Sequence, residues 1–175
     1  YSGNLQFRVD SESAQFASKV INIPITNDTR VEKDELFTVE IRNPAGGATL
    51  GTIARAVVTI AEDDSAIEFG TSSYVVDESA GYVTITILRK GNVSGVATVD
   101  LNLSSGTATA GQDFVALSSP TITFAAGESI KTVQIQIIDD VFREPDELFY
   151  LSLTNAKNAS LGSSLNGNVK IRAND

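Results

Sequence analysis

The sequence contains no cysteine, histidine, methionine or tryptophan. Without cysteine there is no disulfide, thiolate nucleophile or zinc–thiolate centre, and without histidine the commonest general base and metal ligand is gone. Redox chemistry therefore leaves the compartment open. Aromatic residues make up only 7% of the chain, and its carboxylates form no recognisable glycosidase pair or aromatic-lined cleft. No run of about 18 apolar residues is present. No signal-like start appears either, although a fragment would have lost one. Helical periodicity is absent throughout. Positive charge is in deficit, with 13 Lys and Arg against 22 Asp and Glu, a net charge of −9 and a pI near 4.4. That balance argues against nucleic acid or an anionic membrane as partner.

What the chain has instead is acid gathered at turns. From Ile135 to Leu151, two alternating runs, Val133-Ile135-Ile137 and Phe149-Leu151-Leu153, flank a connector holding Asp139, Asp140, Glu144, Asp146 and Glu147 against one Arg143. Unit charges about 4 Å apart near a protein surface repel by roughly 4 kcal/mol, so such a cluster needs open water or a bound cation. Oxygen-only ligands favour calcium or magnesium over zinc or iron.

The same phrase occurs earlier. Asp34-Glu35-Leu36-Phe37 repeats as Asp146-Glu147-Leu148-Phe149, an offset of 112 that also pairs Asp28 with Asp140, Glu32 with Glu144 and Asn43 with Asn155. Further on, Ala48-Thr49-Leu50-Gly51 matches Ala159-Ser160-Leu161-Gly162 at 111, so one deletion separates two copies of an internal repeat. The copies are unequal. Residues 65–175 make one complete repeat, whereas residues 1–64 correspond only to the later part of one, so the chain reads as a fragment of a longer protein. The partial repeat is expected to bury a thin core and to leave an open sheet edge for another chain.

In the first repeat, strands are expected at Gly3 to Phe7, over Val20 to Ile25 with Pro24 at an edge or bulge, at Glu35 to Arg42 and at Ala56 to Ala61, with a polar connector from Arg8 to Ala17. In the second they are expected at Ile67 to Phe69 with Tyr74 to Val76, then Tyr82 to Arg89, Val96 to Leu103, Thr121 to Phe124, Lys131 to Ile138, Glu147 to Thr154 and Asn168 to Arg172. Short strands with turn signals every 8 to 12 residues imply an all-β, immunoglobulin-like antiparallel sandwich of about seven strands, in tandem. Its acidic connectors would cluster at one end.

Taken together, Val76-Asp77-Glu78-Ser79-Ala80-Gly81, Gly106-Thr107-Ala108-Thr109-Ala110-Gly111-Gln112-Asp113-Phe114, Ile137-Ile138-Asp139-Asp140 and Asp146-Glu147-Leu148-Phe149 resemble the Calx-β domain family. The pattern covers all of residues 67–175 and, in its second half only, residues 1–64. Calx-β domains are seven-stranded sandwiches found in sodium/calcium exchangers, in integrin β4 and in large extracellular adhesion-type proteins. Some members bind calcium at one end and some do not.

The resemblance implies a ligand set. Glu78 stands at the position of the Glu that follows the first strand in calcium-binding members, and Asp113 at that of the Asp ahead of the fourth. Asp139 and Asp140 match the paired acids of the hairpin, and Glu144 and Glu147 the glutamates after them. Of the closing acids, Ala173 and Asn174 are substitutions and Asp175 remains. The first repeat offers Asn27, Asp28, Glu32, Glu35, Glu62, Asp63 and Asp64. Asn27 replaces an acid there, and Arg30 and Lys33 hold Asn27 to Glu35 at a net −2 against −4 for Asp139 to Glu147. Its site is expected to be weaker or missing. Asp63 and Asp64 lie where an ion could stiffen the angle between repeats.

The chemistry and the resemblance together imply a calcium-binding structural or adhesive repeat of a secreted or cell-surface protein, without enzymatic activity. Its partners would be neighbouring Calx-β repeats and possible chains at an open sheet edge. The alternatives are a cytosolic calcium sensor of a sodium/calcium exchanger and a metal-free module whose acids are solvated turns.

Overall fold

The computed structural model describes residues 19–174. The strand expected at Gly3 to Phe7, the connector Arg8 to Ala17 and the closing Asp175 lie outside them. The described residues are all β apart from one 3-10 turn at Glu78–Ala80. In chain order the strands are β1 (Glu35–Glu40), β2 (Arg55–Ile60), β3 (Ser65–Phe69), β4 (Ser73–Asp77), β5 (Tyr82–Gly91), β6 (Ala97–Ser105), β7 (Thr121–Phe124), β8 (Ile130–Gln136), β9 (Glu147–Lys157), β10 (Ser160–Leu161) and β11 (Asn166–Arg172).

From β3 onward they form an immunoglobulin-like sandwich of two sheets, ordered β10-β3-β5-β8 and β4-β11-β9-β6-β7. Period-two alternation decides which side chains face inward. Val83, Ile85 and Ile87 of β5 are buried while Tyr82 and Thr84 are exposed; Phe149, Leu151 and Leu153 do the same on β9. Ile67, Phe69 and Ile135 join from the first sheet, and Val99, Leu101, Phe124, Val169 and Ile171 from the second, in one core cluster.

Polar groups drawn into this core are paired. Glu68 accepts from Lys90 Nζ, from the Ser163 backbone N at 3.0 Å and from Ser163 Oγ at 3.0 Å. Buried Arg89 donates through Nη1 to the Gly95 carbonyl at 2.6 Å and through Nε to Ser65 Oγ at 3.4 Å. Such pairing offsets the desolvation of a buried charge.

The first repeat contributes a separate two-stranded ribbon, β1-β2. Its register reproduces that of β9 and β11: Glu35 pairs with Ile60 and Phe37 with Val58, as Glu147 pairs with Ile171 and Phe149 with Val169. Even the exit turn is copied, with Asn43 at φ 54° and Asn155 at φ 53°. The surroundings differ. β9 and β11 are flanked by β6 and β4, whereas among the described residues neither edge of β1-β2 is paired. Phe149 and Val169 are 0% exposed, while Phe37 and Val58 are half-buried and Leu36 is 67% exposed.

No strand forms over residues 19–34, contrary to the expectation for Val20 to Ile25. Their counterpart in the second repeat is β8, which exists by pairing with β5 over seven residues from Tyr82↔Gln136 to Leu88↔Ile130. Among the described residues, none occupies the matching place of β5 for the first repeat. A segment with strand periodicity but no partner has nowhere to put its backbone hydrogen bonds.

Candidate metal centre

Four acidic side chains from three separate segments meet beyond one end of the sandwich. Glu78 arrives on the 3-10 turn that follows β4, a turn closed by Gly81 at φ 78°. Although a carboxylate, it is only 6% exposed. Asp113 sits in the β6–β7 connection, where its Oδ2 accepts from the Thr109 N at 2.6 Å. Its backbone donates to the Thr109 carbonyl at 3.0 Å and accepts from Ile138 N at 3.0 Å. Glu144 hangs from the β8–β9 connection, and Glu147 opens β9. Carboxylate oxygens of Asp113, Glu144 and Glu147 lie within 4.8 Å of one another. Glu78 lines the same recess, with Pro145, Ile171 and Ala173 as its walls.

The electrostatics follow from that crowding. Burial, reinforced by the charge of Asp113 and then by Glu144 and Glu78, pushes the Glu147 carboxyl up to about 7. Burial together with Asp113 and Asp140 raises that of Glu144 as well. Among the described residues no Lys or Arg forms an ion pair with Asp113, Glu144 or Glu147. These are converging oxygen donors in surroundings that disfavour their own negative charge, the donor set and field that a hard divalent cation would relieve.

The other hairpin acids are placed differently. Asp140 Oδ1 accepts from the Phe142 N at 2.7 Å, which folds the connector back on itself. Asp139 Oδ1 accepts from Asn174 Nδ2 at 3.1 Å. Asp146 turns away to pair with Lys170 at 2.7 Å, and that hydrogen bond holds its carboxyl below the usual range. Geometry thus separates the acids of the connector, and Asp146, which stands outside the ligand set that the resemblance implies, is the one engaged by a lysine. Ile171 and Ala173, which wall the recess, carry no signal in the sequence beyond their place in or just after the last strand.

The first repeat copies parts of this arrangement. Asp28 Oδ1 accepts from the Arg30 N at 2.8 Å, as Asp140 does from Phe142. Glu62 donates its backbone N to Asp34 Oδ1 at 2.9 Å, as Ala173 does to Asp146 at 3.3 Å. Carboxylate oxygens of Glu62, Asp63 and Asp64 lie within 4.8 Å of one another. Burial and the charges of Asp63, Glu62 and Asp28 raise the Asp64 carboxyl. Two features reduce the charge available: the Glu32 backbone N donates to Glu62 Oε2, and Arg30 Nε lies 3.8 Å from Glu32 Oε1. Glu35 is exposed at the start of β1 and is not among the three converging acids.

The family model for the Calx-beta domain matches residues 1–64 and again residues 61–175. Adhesion G-protein coupled receptor V1 of Danio rerio is 36% identical over 175 residues, which is 95% of this chain and 3% of that protein. FRAS1-related extracellular matrix protein 2 of Homo sapiens is 34% identical over 163 residues, 87% of this chain and 5% of that protein. Sodium/calcium exchanger 1 of Felis catus is 38% identical over 107 residues, 59% of this chain and 11% of that protein. The chain therefore spans no more than 11% of the length of these relatives. Among solved structures, the apo-form Calx CBD1 domain superposes with a TM-score of 0.61 at 31% identity, covering 64% of this chain and 99% of that one. The calcium binding domain CBD12 of CALX1.1 gives 0.59 at 32% identity, covering 62% of this chain and 46% of that one.

Proposed function

The chain belongs to the Calx-beta domain family, and on that premise we propose that it is a calcium-binding structural repeat of a larger extracellular or cell-surface protein. One partial unit, residues 1–64, and one complete unit, residues 65–175, are joined in tandem. The observation that carries the reading is the convergence of Asp113, Glu144 and Glu147 to within 4.8 Å beside buried Glu78, with no Lys or Arg in an ion pair with Asp113, Glu144 or Glu147 among the described residues. In this reading those four residues hold calcium. Asp139 and Asp140, and Asp175 beyond the described residues, complete the acidic end.

Calcium takes 6 to 8 oxygens, so water and backbone carbonyls supplement four carboxylates. The ion would supply charge neutralisation and tie together three segments whose carboxylates otherwise repel. Glu78, Asp113, Glu144 and Glu147 orient the donors, while Ile171 and Ala173 close one side to water. The proposal includes no catalytic step. In the first unit, Asp28, Glu32, Glu35, Asp63 and Asp64 would form a weaker site, because Glu32 is engaged by Arg30 and Glu35 stands apart from the converging group.

The likeness to an exchanger favours a second reading, a calcium sensor on a transport protein. The two readings share the same ion chemistry and differ in the parent protein. The test is thermal unfolding of calcium-stripped chain titrated with calcium and, separately, magnesium. An affinity in the extracellular range of about 10⁻⁴ to 10⁻³ M is expected. Occupancy at about 100 times the dissociation constant adds about 2.7 kcal/mol of stability. Asp140→Asn combined with Glu144→Gln should abolish the response and leave the calcium-free fold intact. No response up to millimolar calcium would make this a metal-free spacer.

A further inference from the structure

The pairing of β6 with β9 is interrupted at one place. Toward the end of β6 the register is regular, with Asn102 opposite Ser152 and Leu103 opposite Leu151, but it slips between Thr98↔Lys157 and Asp100↔Thr154. Asn155 and Ala156 therefore both stand opposite Val99, which makes a β-bulge. Asn155 takes a left-handed conformation there, φ 53°, which asparagine tolerates better than most residues. A bulge bends its strand and re-aims the side chains beside it. Here it borders a recess of about 370 Å³ between β6, β7 and β9, lined by Thr98, Asp100, Thr121, Asn155, Ala156 and Lys157. That volume lies within the range of small-molecule sites, about 300–1,000 Å³.

Asp100 joins the walls of the recess. Its Oδ1 accepts from Thr121 Oγ1 of β7 at 2.7 Å, and its Oδ2 accepts from Asn155 Nδ2 of β9 at 3.0 Å. Those two bonds, with the charge of Lys157, hold the Asp100 carboxyl below the usual range. The bulge asparagine has a counterpart in the first repeat, where Asn43 has φ 54°, but Pro44-Ala45 follow it where Ala156-Lys157 follow Asn155. The turn by itself therefore does not call for the lysine. Among the described residues Lys157 forms no ion pair.

The charges select the ligand. Asp100 and Lys157 leave the recess with no net charge. A cation would meet the Lys157 ammonium and a carboxylate whose two oxygens are each already engaged, and an anion would meet Asp100. A hydroxyl both donates and accepts. Vicinal hydroxyls would accept from Lys157 Nζ while donating to the remaining lone pairs of Asp100 and to Asn155 Oδ1. We propose that this recess binds a neutral pyranoside, the terminal sugar of a glycan, through its vicinal hydroxyls. Ala156 is the one apolar residue of the lining and no aromatic ring is present to stack on the sugar, so binding is weak. The site is separate from the candidate metal centre: β6 runs on from Asp100 to Ser105, roughly 17 Å of strand, before the connection that carries Asp113. The proposal goes beyond the calcium reading and does not depend on it.

The test follows amide chemical shifts of the isotope-labelled chain, in chelator, during titration with the methyl pyranosides of glucose, galactose, mannose and N-acetylglucosamine, with glycine as a zwitterionic control. At least one glycoside should move the signals of Thr98, Asp100, Asn155 and Lys157 saturably, with a dissociation constant of about 10⁻³ to 10⁻² M, as suits a ligand of about a dozen heavy atoms. Lys157→Met keeps the stem and removes the ammonium; it should weaken binding about tenfold. Because Lys157 is exposed, that variant should melt with the parent chain. Asn155→Gly keeps the left-handed turn, removes the amide and should weaken binding as well. No saturable shift with any of the four glycosides up to about 100 mM overturns the proposal. So does binding that neither variant weakens. An equal response to glycine also overturns it, by making the recess a site for zwitterions.

Discussion

The ring of Phe114 lies against that of Phe149, with centroids 4.2 Å apart and planes 17° from parallel. Both rings are essentially inaccessible to solvent. Asp113 immediately precedes the first, and Glu147 is two residues before the second. The stack therefore draws two carboxylates from distant stretches of chain to the same end of the sandwich, and Phe114 is locked further by its bridge to Ile137. Apolar packing holds like charges together here.

Phe149→Ala should cost about 3–5 kcal/mol, the usual range for deleting a buried aromatic side chain, and should weaken any calcium response by freeing Asp113 from Glu147. Phe37→Ala, at the matching position of the first repeat, should cost well under that because Phe37 is only half-buried. Chemical denaturation of the two variants measures the difference. Equal costs would mean that β1-β2 is covered in solution by a partner chain.

Glu147 sets the pH response of the calcium-free protein. Its carboxyl is raised from 4.5 to about 7 by burial and neighbouring acids. The folded state thus keeps a proton that the unfolded chain releases. This contribution to stability is fully present below about pH 4.5 and is lost as pH rises through about 7. Melting temperatures between pH 4 and 8 should show that fall, and Glu147→Gln should flatten it. Calcium, competing with the same proton, should bind more tightly across the same window.

Acids that share a connector should not behave alike. Glu144→Gln with Glu147→Gln should remove the calcium-induced rise in melting temperature, while Asp146→Asn should preserve it. Asp146 is engaged with Lys170 in a partly exposed ion pair, an interaction whose loss costs about 0–1 kcal/mol. Isothermal calorimetry of the variants with calcium separates the two outcomes.

Gly106→Ala tests the support beneath the site. A Cβ at Gly106 would lie 2.4 Å from the Leu148 carbonyl oxygen, a backbone atom next to Glu147. Because β9 cannot yield as a flexible side chain would, the substitution should destabilise the protein by about 1–3 kcal/mol, as overpacking typically does. Equilibrium unfolding gives the cost directly. A neutral result would show that this approach relaxes freely.

Much of the fold is legible residue by residue. Thr121 to Phe124 is bounded by turn signals and forms β7 as read. The alternation of Phe149, Leu151 and Leu153 buries those three and gives β9, although that strand runs three residues beyond Thr154 to Lys157. Val20 to Ile25 alternates just as clearly and forms no strand. Periodicity reports which face a strand would bury, but not whether a neighbour exists to pair with it.

The all-β class, the repeat with its offset and the collection of acids at turns can be read from the residues alone, because each depends on local pattern and on copies that can be compared. That Asp146 turns to Lys170 while Glu144 and Glu147 turn to Asp113, with Glu78 buried beside them, follows from how the folded segments pack. The close approach of Val31 to Gly91 arises in the same way. Those outcomes depend on which segments lie side by side once two sheets pack. The spacing of residues along a chain does not contain that information until the strands have chosen their partners.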